Sequence, residues 1–340
     1  MLKFRYILFP FSLLYACITK IRNFLYDKQI IKSESFDIPV INVGNLSLGG
    51  TGKTPMIEYL IRLLQKDYKI AVISRGYKRK SKGFIVADNN SSAEKIGDEP
   101  YQIHRKFKDV IVAVGEKRAD AIRKVLVKFK PDVILLDDAF QHRSVQAGFN
   151  ILLTTYQKPF VQDFILPTGD LRECRHNAKR AHTVIVTKSP VSIPEKKKEK
   201  LIHDIHKYVK QDVFFAQIKY ADKIFSKQGS IDLEDLKAYQ VVLITGIAQP
   251  QTLYDYLSEK NLNFEVLKFD DHHHFSKADI QRIKKVFEHK KTDNKLILST
   301  EKDYVRLQNH FEKELYYLPI ETEITDNNKF NNKILDYVQK

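Results

Sequence analysis

The chain has 340 residues, with 57 Lys and Arg against 42 Asp and Glu, which gives a net charge of +15. Its length fits one large or two ordinary domains, and 43% hydrophobic with 29% charged residues excludes a disordered chain and a polytopic membrane protein. Two cysteines, Cys17 and Cys174, are too few for a disulfide framework or a four-ligand zinc site, which favours a reducing compartment. The positive charge suits nucleic acid, an anionic membrane surface or a phosphorylated substrate.

The first predicted element, residues 1–27, is an amphipathic helix that associates with a membrane. Its uncharged stretch, Tyr6–Thr19, is shorter than the roughly 20 residues that a membrane-spanning helix needs. Apolar side chains recur at helical spacing within Phe11–Leu25, and Lys20 and Arg22 lie among them, as in helices that bind anionic headgroups.

Two other interpretations of this segment remain open. An ordinary helix that covers the domain core fits the same spacing of apolar residues. The sequence Leu14-Tyr15-Ala16-Cys17 also resembles a lipoprotein processing site. The second is disfavoured because the next motif requires ATP, which is a cytosolic nucleotide.

From residue 38 the chain alternates Val/Ile/Leu-rich runs with amphipathic stretches, which predicts a mostly parallel sheet with helices on both faces. This is a P-loop-type α/β fold, assigned to residues 28–212. The predicted strands are Ile38–Val43, Ile70–Ser74, Val110–Ala113, Val133–Leu136, Ile151–Thr154 and Thr183–Thr187. The predicted helices are Thr54–Gln65, Pro100–Phe107, Lys117–Phe129 and Glu195–Val209.

A second, smaller α/β domain is predicted at residues 240–340, after a β-rich linker at 213–239 that contains Gly229-Ser230. Its predicted strands are Val241–Thr245, Phe264–Lys268 and Leu296–Ser299. Its predicted helices are Pro250–Lys260, Lys277–His289 and Lys302–His310.

A glycine-rich loop between the first strand and the next helix predicts a site for nucleotide phosphates. Lys53 is expected to reach the β- and γ-phosphates, and the Thr54 hydroxyl to bind Mg²⁺. The usual G-x-x-x-x-G-K-[ST] spacing asks for glycine where this chain has Ser47, but the Gly-Gly-x-Gly-Lys-Thr core is present. The predicted ATP-binding residues are Ser47, Leu48, Gly49, Gly50, Thr51, Gly52, Lys53 and Thr54.

Two carboxylates follow a later apolar strand and predict further Mg²⁺ ligands. Asp137 and Asp138 come directly after Val133–Leu136. The carboxyl ends of parallel strands face the ligand crevice of an open sheet, so this pair is expected beside the phosphate loop. A helix cap or a surface carboxylate is the simpler alternative for either one.

Several motifs in sequence order resemble one family, tetraacyldisaccharide 4'-kinase, the lipid A 4'-kinase of Gram-negative bacteria. The similarity extends from the N-terminal helix to about residue 310. The motifs are Val43-Gly44-Asn45-Leu46 with the phosphate loop, Ser74-Arg75-Gly76-Tyr77, Gly97-Asp98-Glu99-Pro100, Val114-Gly115-Glu116 with Arg118, Asp137-Asp138-Ala139-Phe140-Gln141-His142, Leu166-Pro167 with Leu171-Arg172-Glu173, Gly246-Ile247-Ala248, Asp271-His272-His273 with Phe275, and Thr300-Glu301-Lys302-Asp303.

The resemblance implies transfer of the γ-phosphate of ATP to the 4'-hydroxyl of tetraacyldisaccharide 1-phosphate, which gives lipid IVA. It also implies two α/β/α domains and a peripheral location on the cytoplasmic face of the inner membrane, against an anionic surface. Neither a nucleic acid nor a stable protein partner is expected.

The resemblance further implies catalytic roles for Asp98 and His272. Asp98, in the loop before a predicted helix, matches the carboxylate near the attacking hydroxyl, and His272 matches a histidine that supports it. The two lie in different predicted domains, so their meeting requires domain closure. A helix cap for Asp98, and a surface loop or metal site for His272, are the alternatives.

Four more residues in the matched motifs are candidates for binding phosphate or glycolipid. They are Arg75, Arg118, His142 and Arg172. The chain departs from the family pattern at Lys78, Ala139 and Asp170, none of which removes a charged catalytic group.

A nucleotide-dependent switch or motor is the alternative from a different class. It is disfavoured because the chain has no guanine-reading Asn-Lys-x-Asp segment and no aromatic-rich basic stripe for single strands.

Overall fold

The computed structural model describes residues 5–271, 273–311 and 313–340. The strands are β1 (Val40–Asn45), β2 (Ile70–Ser74), β3 (Ile85–Val86), β4 (Ile111–Val114), β5 (Val133–Asp137), β6 (Phe149–Thr155), β7 (Thr183–Thr187), β8 (Val213–Tyr220), β9 (Lys223–Phe225), β10 (Ser230–Asp232), β11 (Gln240–Thr245), β12 (Phe264–Lys268), β13 (Lys295–Thr300), β14 (Leu315–Leu318) and β15 (Ile320–Ile324). The α-helices are α1 (Phe9–Asp27), α2 (Lys53–Leu64), α3 (Ala93–Ile96), α4 (Asp98–Lys106), α5 (Arg118–Phe129), α6 (Glu195–His206), α7 (Gln251–Glu259), α8 (Lys277–Glu288), α9 (Glu301–Leu307) and α10 (Asn327–Val338). Each predicted strand and helix is present, with ends that differ by a few residues.

The strands form two mostly parallel sheets. The larger has the order β15-β8-β7-β6-β1-β5-β2-β4-β3, and the smaller has the order β10-β9-β14-β13-β11-β12. The central strands β1, β2 and β5 are buried at every position, because helices cover both faces of the larger sheet. The predicted fold class, a P-loop-type parallel sheet with a second α/β unit and an N-terminal helix, is confirmed.

Sheet membership divides the chain differently from the predicted boundaries. Strand β8, inside the predicted linker, extends the larger sheet, whereas β9 and β10 belong to the smaller one. Strand β15 leaves the second unit and pairs antiparallel with β8, so that Ile320 lies opposite Tyr220. Helix α10 then packs in the core of the first unit. We therefore propose that the second unit comprises residues 221–319 and is inserted into the first.

Replacing Phe330 by Ala is expected to lower the free energy of unfolding of the first unit by about 3–5 kcal/mol. The Phe330 ring is fully buried and contacts Phe214 and Tyr59 edge to face, with ring centroids 5.4 and 5.9 Å apart. Urea unfolding measures the change, and Val127→Ala on the exposed face of α5 is the control, expected within about 0.5 kcal/mol of the unaltered protein. Equal changes in the two variants would show that α10 contributes little to this core.

Helix α1 lies on the first unit with two polar residues buried and many of its apolar side chains exposed. Its buried residues are Ser12, which donates to Thr168 Oγ1 at 2.7 Å, and Asn23, which donates to Glu173 Oε2 at 2.7 Å. Exposed apolar side chains along the helix include Phe11 (63%), Leu14 (62%), Ile18 (58%), Ile21 (55%) and Phe24 (54%). Within the described ranges, no helix has the length and apolar content needed to cross a membrane. A helix that covers the core would bury these side chains, so that interpretation does not fit.

Candidate active site

The site lies at the edge of the larger sheet where parallel strands end. Strands β1, β2, β5 and β7 run in the same direction, so their carboxyl ends lie at this one edge. The predicted phosphate loop follows β1, the Arg75 loop follows β2, and the Asp137 pair ends β5. The topology therefore brings together motifs that are up to about a hundred residues apart in sequence.

The phosphate loop turns directly into α2. Gly49 and Gly52 have φ of 101° and 85°, a region that residues with a Cβ rarely adopt. Ser47 has no positive φ, so the loop does not require glycine there. The loop is held in place by Asn45, whose amide donates to Thr51 Oγ1 at 2.7 Å, and by Thr187, whose hydroxyl donates to Thr51 O at 2.8 Å.

Lys53, the first residue of α2, faces Asp138. Its Nζ lies 3.8 Å from Asp138 Oδ1, and Arg172 Nη1 donates to both oxygens of the same carboxylate at 3.1 and 3.2 Å. Burial alone would raise the pKa of Asp138, but Lys53 and Arg172 together hold it below its usual value. Arg172 Nη2 also donates to Asn45 Oδ1 at 2.7 Å, which connects this cluster to the phosphate loop.

Asp137 is a buried carboxylate, and one of its two oxygens has no hydrogen-bond partner among the described residues. Ser74 Oγ donates to its Oδ2 at 3.3 Å, whereas Oδ1 has no hydrogen-bond partner among the described residues. Burial raises the pKa of Asp137 to about 6; the charge of Asp138 adds to this rise, and Lys53 opposes it. A carboxylate in this state is stabilised by an added cation.

Two arginines, Arg118 and Arg75, lie close to His142, and Arg118 also interacts with Asp137. Arg118 is 1% exposed and donates from Nη1 to the main-chain oxygens of Gly115 and Glu116, but its Nε and Nη2 have no partner within the described ranges. Burial, opposed by Asp137 and reinforced by Arg75, lowers the pKa of Arg118 to about 10. Burial and the two arginines lower the pKa of His142 to about 4, so its imidazole is neutral near pH 7.

Asp98 begins α4, and its loop touches the loop that carries Arg75. A Cβ placed on Gly97 would lie 3.1 Å from Gly76 Cα, so the two loops are in contact through their glycines. On the other side, Arg306 of α9 pairs with Asp98: its Nε donates to Asp98 Oδ2 at 3.1 Å, and its Nη2 donates to the same oxygen. The predicted partner of Asp98, His272, lies outside the described residues.

Reasoning from the sequence missed three contributors to this site. Asn45 and Gln141 lie within quoted motifs, and Gln141 Nε2 donates to Asn45 O at 2.9 Å, but an amide side chain gives no signal of its own in a sequence. Arg306 lies just after the Thr300-Glu301-Lys302-Asp303 motif, and nothing in its spacing predicts a contact with the first unit.

The arrangement suits chemistry on polyphosphates. Cationic groups and the main-chain N–H groups of the phosphate loop can stabilise negative charge that is spread over several oxygens. Two adjacent carboxylates beside Lys53 suit a divalent cation that bridges phosphates. The described residues contain no cluster of three or more His, Cys, Asp or Glu side chains able to hold a metal by itself, and Mg²⁺ in such sites takes its remaining ligands from phosphate and water.

Comparisons with known proteins agree with this geometry. A family model described as LpxK, Tetraacyldisaccharide-1-P 4'-kinase, matches residues 4–339. Tetraacyldisaccharide 4'-kinase of Flavobacterium johnsoniae is 51% identical, covering 99% of this chain and 98% of its own; the relative from Bacteroides thetaiotaomicron is 44% identical, covering 98% and 93%. The crystal structure of LpxK from Aquifex aeolicus in complex with ATP superposes with a TM-score of 0.80 at 29% identity, covering 98% of this chain and 99% of that one. The chain therefore belongs to the tetraacyldisaccharide-1-P 4'-kinase family.

Proposed function

We propose that the protein transfers the γ-phosphate of ATP to the 4'-hydroxyl of tetraacyldisaccharide 1-phosphate, which forms lipid IVA in lipid A biosynthesis. One observation carries the proposal: in a member of this family, the phosphate loop, the Asp137 pair and the Asp98 loop meet at one edge of the sheet. The proposal is supported because residues suited to binding a nucleotide lie on the same side of the molecule as a carboxylate suited to act as a base.

The residues present fit ATP with Mg²⁺. The glycine-rich loop and Lys53 would hold the phosphates, while the Thr54 hydroxyl and the carboxylates of Asp137 and Asp138 would hold the metal. Among the described residues Asp137 Oδ1 has no hydrogen-bond partner, and this together with the raised pKa of the carboxyl supports the assignment, since a bound cation supplies the missing counter-charge. When bound, Mg²⁺ neutralises charge on the β- and γ-phosphate oxygens.

On the acceptor side, Asp98 is proposed to orient the 4'-hydroxyl and take its proton. Arg118, Arg75 and His142 would hold the phosphorylated glycolipid, and Arg172 would act through its contacts with Asp138 and the loop. Among the described residues, Nε and Nη2 of Arg118 have no acceptor, which supports this role, because buried N–H groups of a guanidinium that lack an acceptor favour an anionic ligand.

We further propose that α1 seats the protein on the cytoplasmic face of the inner membrane. Its outward apolar side chains suit the acyl region, while Tyr15 and Arg22 on the same helix donate to the main-chain oxygens of Arg172 and Gln141 at 3.0 Å. Because these two contacts reach residues of the site, the lipid surface lies next to the place where a membrane-embedded substrate is needed.

Replacing both Leu14 and Ile18 by Glu is expected to weaken binding to anionic phospholipid vesicles by at least about tenfold, since two exposed apolar side chains can no longer enter the acyl region. Co-sedimentation with vesicles measures the loss. Val127→Glu with Val191→Glu is the matched control, because both valines are exposed elsewhere and the added charge is the same. Equal vesicle binding by the two double variants would contradict a membrane role for α1.

The experiment that tests the function is transfer of radiolabelled γ-phosphate from ATP to tetraacyldisaccharide 1-phosphate in detergent micelles, resolved by thin-layer chromatography. A labelled lipid is the expected product. Clear ATP binding without any labelled lipid would mean that the acceptor is wrong although the nucleotide site is right.

A further inference from the structure

Helices α4 and α9 form an antiparallel pair that joins the two units. The N-terminal Asp98 of α4 pairs with Arg306 near the end of α9, and Lys106 at the end of α4 pairs with Glu301, which begins α9, at 2.8 Å. Between these ends, Lys302 Nζ lies 3.8 Å from Glu99 Oε1. Each helix has acidic residues in its first turn and basic residues in its last turn, so charges and helix dipoles are complementary along the pair.

Arg306 is firmly fixed within the second unit. Its side chain is 8% exposed, and its Nη1 lies 3.6 Å from Asp303 Oδ1. Asp303 is fully buried and accepts hydrogen bonds from Gly246 N and Thr300 Oγ1, both at 2.8 Å. The Arg306 guanidinium is therefore anchored through Asp303 to the loop that follows β11 and to the start of α9.

We propose that Arg306 is a positioning residue for the phosphoryl transfer: it fixes the orientation of the Asp98 carboxylate, so that the second unit sets the geometry of the base. The inference rests on the proposed function of Asp98. Two nitrogens of one guanidinium donate to a single oxygen, Oδ2, which restrains rotation of the carboxylate.

The remaining contacts of the helix pair are enough to hold α4 against α9 without Arg306. Lys106 and Glu301, Lys302 and Glu99, and Arg105 with Gln308 all cross the same interface. In the loose transition state of phosphoryl transfer, the nucleophile needs little activation, but it must be placed accurately. A guanidinium that restrains the base and lowers its proton affinity suits that demand.

The test compares Arg306→Met with Arg306→Lys, and uses Arg105→Gln as the matched control at the same interface. We expect Arg306→Met to lower kcat for lipid phosphorylation about 10- to 100-fold, with KM for ATP within about twofold of the unaltered protein. Arg306→Lys keeps the charge but not the paired donors, so it should recover part of kcat. Arg105→Gln removes the hydrogen bond to Gln308 and the contacts of the guanidinium with the rings of Tyr101 and Tyr304, none of which reaches Asp98, so it should remain near the unaltered kcat.

The pH profile separates positioning from a purely structural role. Loss of the guanidinium charge removes a stabilisation of the ionised carboxylate, so the acidic limb of kcat should move to higher pH by about one unit in Arg306→Met and little in Arg306→Lys. Among the described residues, the other charged groups near this pair, from both units, are Glu99, Asp271, Lys302 and Asp303, and Arg306 also donates to the main-chain oxygen of His273 at 3.5 Å. They are unchanged in all three variants.

A double variant completes the test. If Arg306 acts through Asp98, adding Arg306→Met to Asp98→Asn should lower kcat no further than Asp98→Asn alone. Two results together would overturn the positioning role: no shift of the acidic limb of kcat in Arg306→Met, and a loss of kcat in the double variant equal to the product of the two single losses. Unaltered kcat in Asp98→Asn would instead overturn the proposed base. If Arg306→Met yields little folded protein, Arg306→Lys decides, because near-complete loss of its kcat without a pH shift also contradicts the proposal.

Discussion

Replacing Asp98 by Asn is expected to lower turnover about 10³-fold while the affinity for ATP stays within about twofold. The amide has nearly the same shape as the carboxylate but cannot take the proton of the acceptor hydroxyl. Asp98 lies on the α4 side of the site, whereas the phosphate loop follows β1, so nucleotide binding does not require this carboxylate. Steady-state transfer of labelled phosphate measures turnover, and titration calorimetry measures ATP binding.

Glu94→Gln is the control for this experiment. It removes an exposed carboxylate from α3, four residues before Asp98, where Glu94 pairs with Lys80 at 2.9 Å. We expect unaltered turnover in the control. A loss in Asp98→Asn no larger than that in the control would remove Asp98 from the chemistry.

Replacing Lys53 by Ala is expected to lower transfer by at least about 10³-fold, because its ammonium is the charge that α2 directs toward the phosphates. The change also removes the ammonium that lies 3.8 Å from Asp138 Oδ1, and leaves the closer ion pair of Asp138 with Arg172, at 3.1 Å, in place. Labelled lipid should disappear from the chromatogram. Lys128→Ala, on the exposed face of α5, is the matched control and should transfer normally.

Retained transfer in Lys53→Ala, at more than a tenth of the control, would contradict the assignment of this lysine. A loss of ATP binding as large as the loss of turnover would show that Lys53 holds the ground state as strongly as the transition state.

The sequence predicted the parts of the molecule whose signals are local. Buried parallel strands have continuous apolar sequences, so the sheet was expected. The glycine pattern before Lys53 is typical of loops that bind phosphate, so the phosphate loop was expected as well. The expected place of the Asp137 pair followed from its position at the carboxyl end of a predicted parallel strand, because parallel strands end at one edge of the sheet. The structure confirms that these residues lie together; their roles stay predictions.

Other features depend on contacts between distant segments, which no local pattern encodes. Strand β15 alternates half-buried and exposed residues before its buried last residue, and its sequence does not identify β8 as its partner. The pair of Asp98 with Arg306 joins positions that are 208 residues apart. Three interpretations of helix α1 were open from the sequence, and its buried Ser12 and Asn23, together with its exposed apolar side chains, argue against the one in which it covers the core.

The insertion of the second unit limits how the protein can open. Both chain crossings lie side by side, where Ala221 N donates to Pro319 O at 3.0 Å next to the paired Tyr220 and Ile320. These two adjacent crossings would form a hinge that bends about one axis more easily than it twists. A rotation of the second unit about that axis would separate Arg306 from Asp98. The reverse rotation would bring the two side chains back together in the same orientation, so the alignment would be the same in each catalytic cycle.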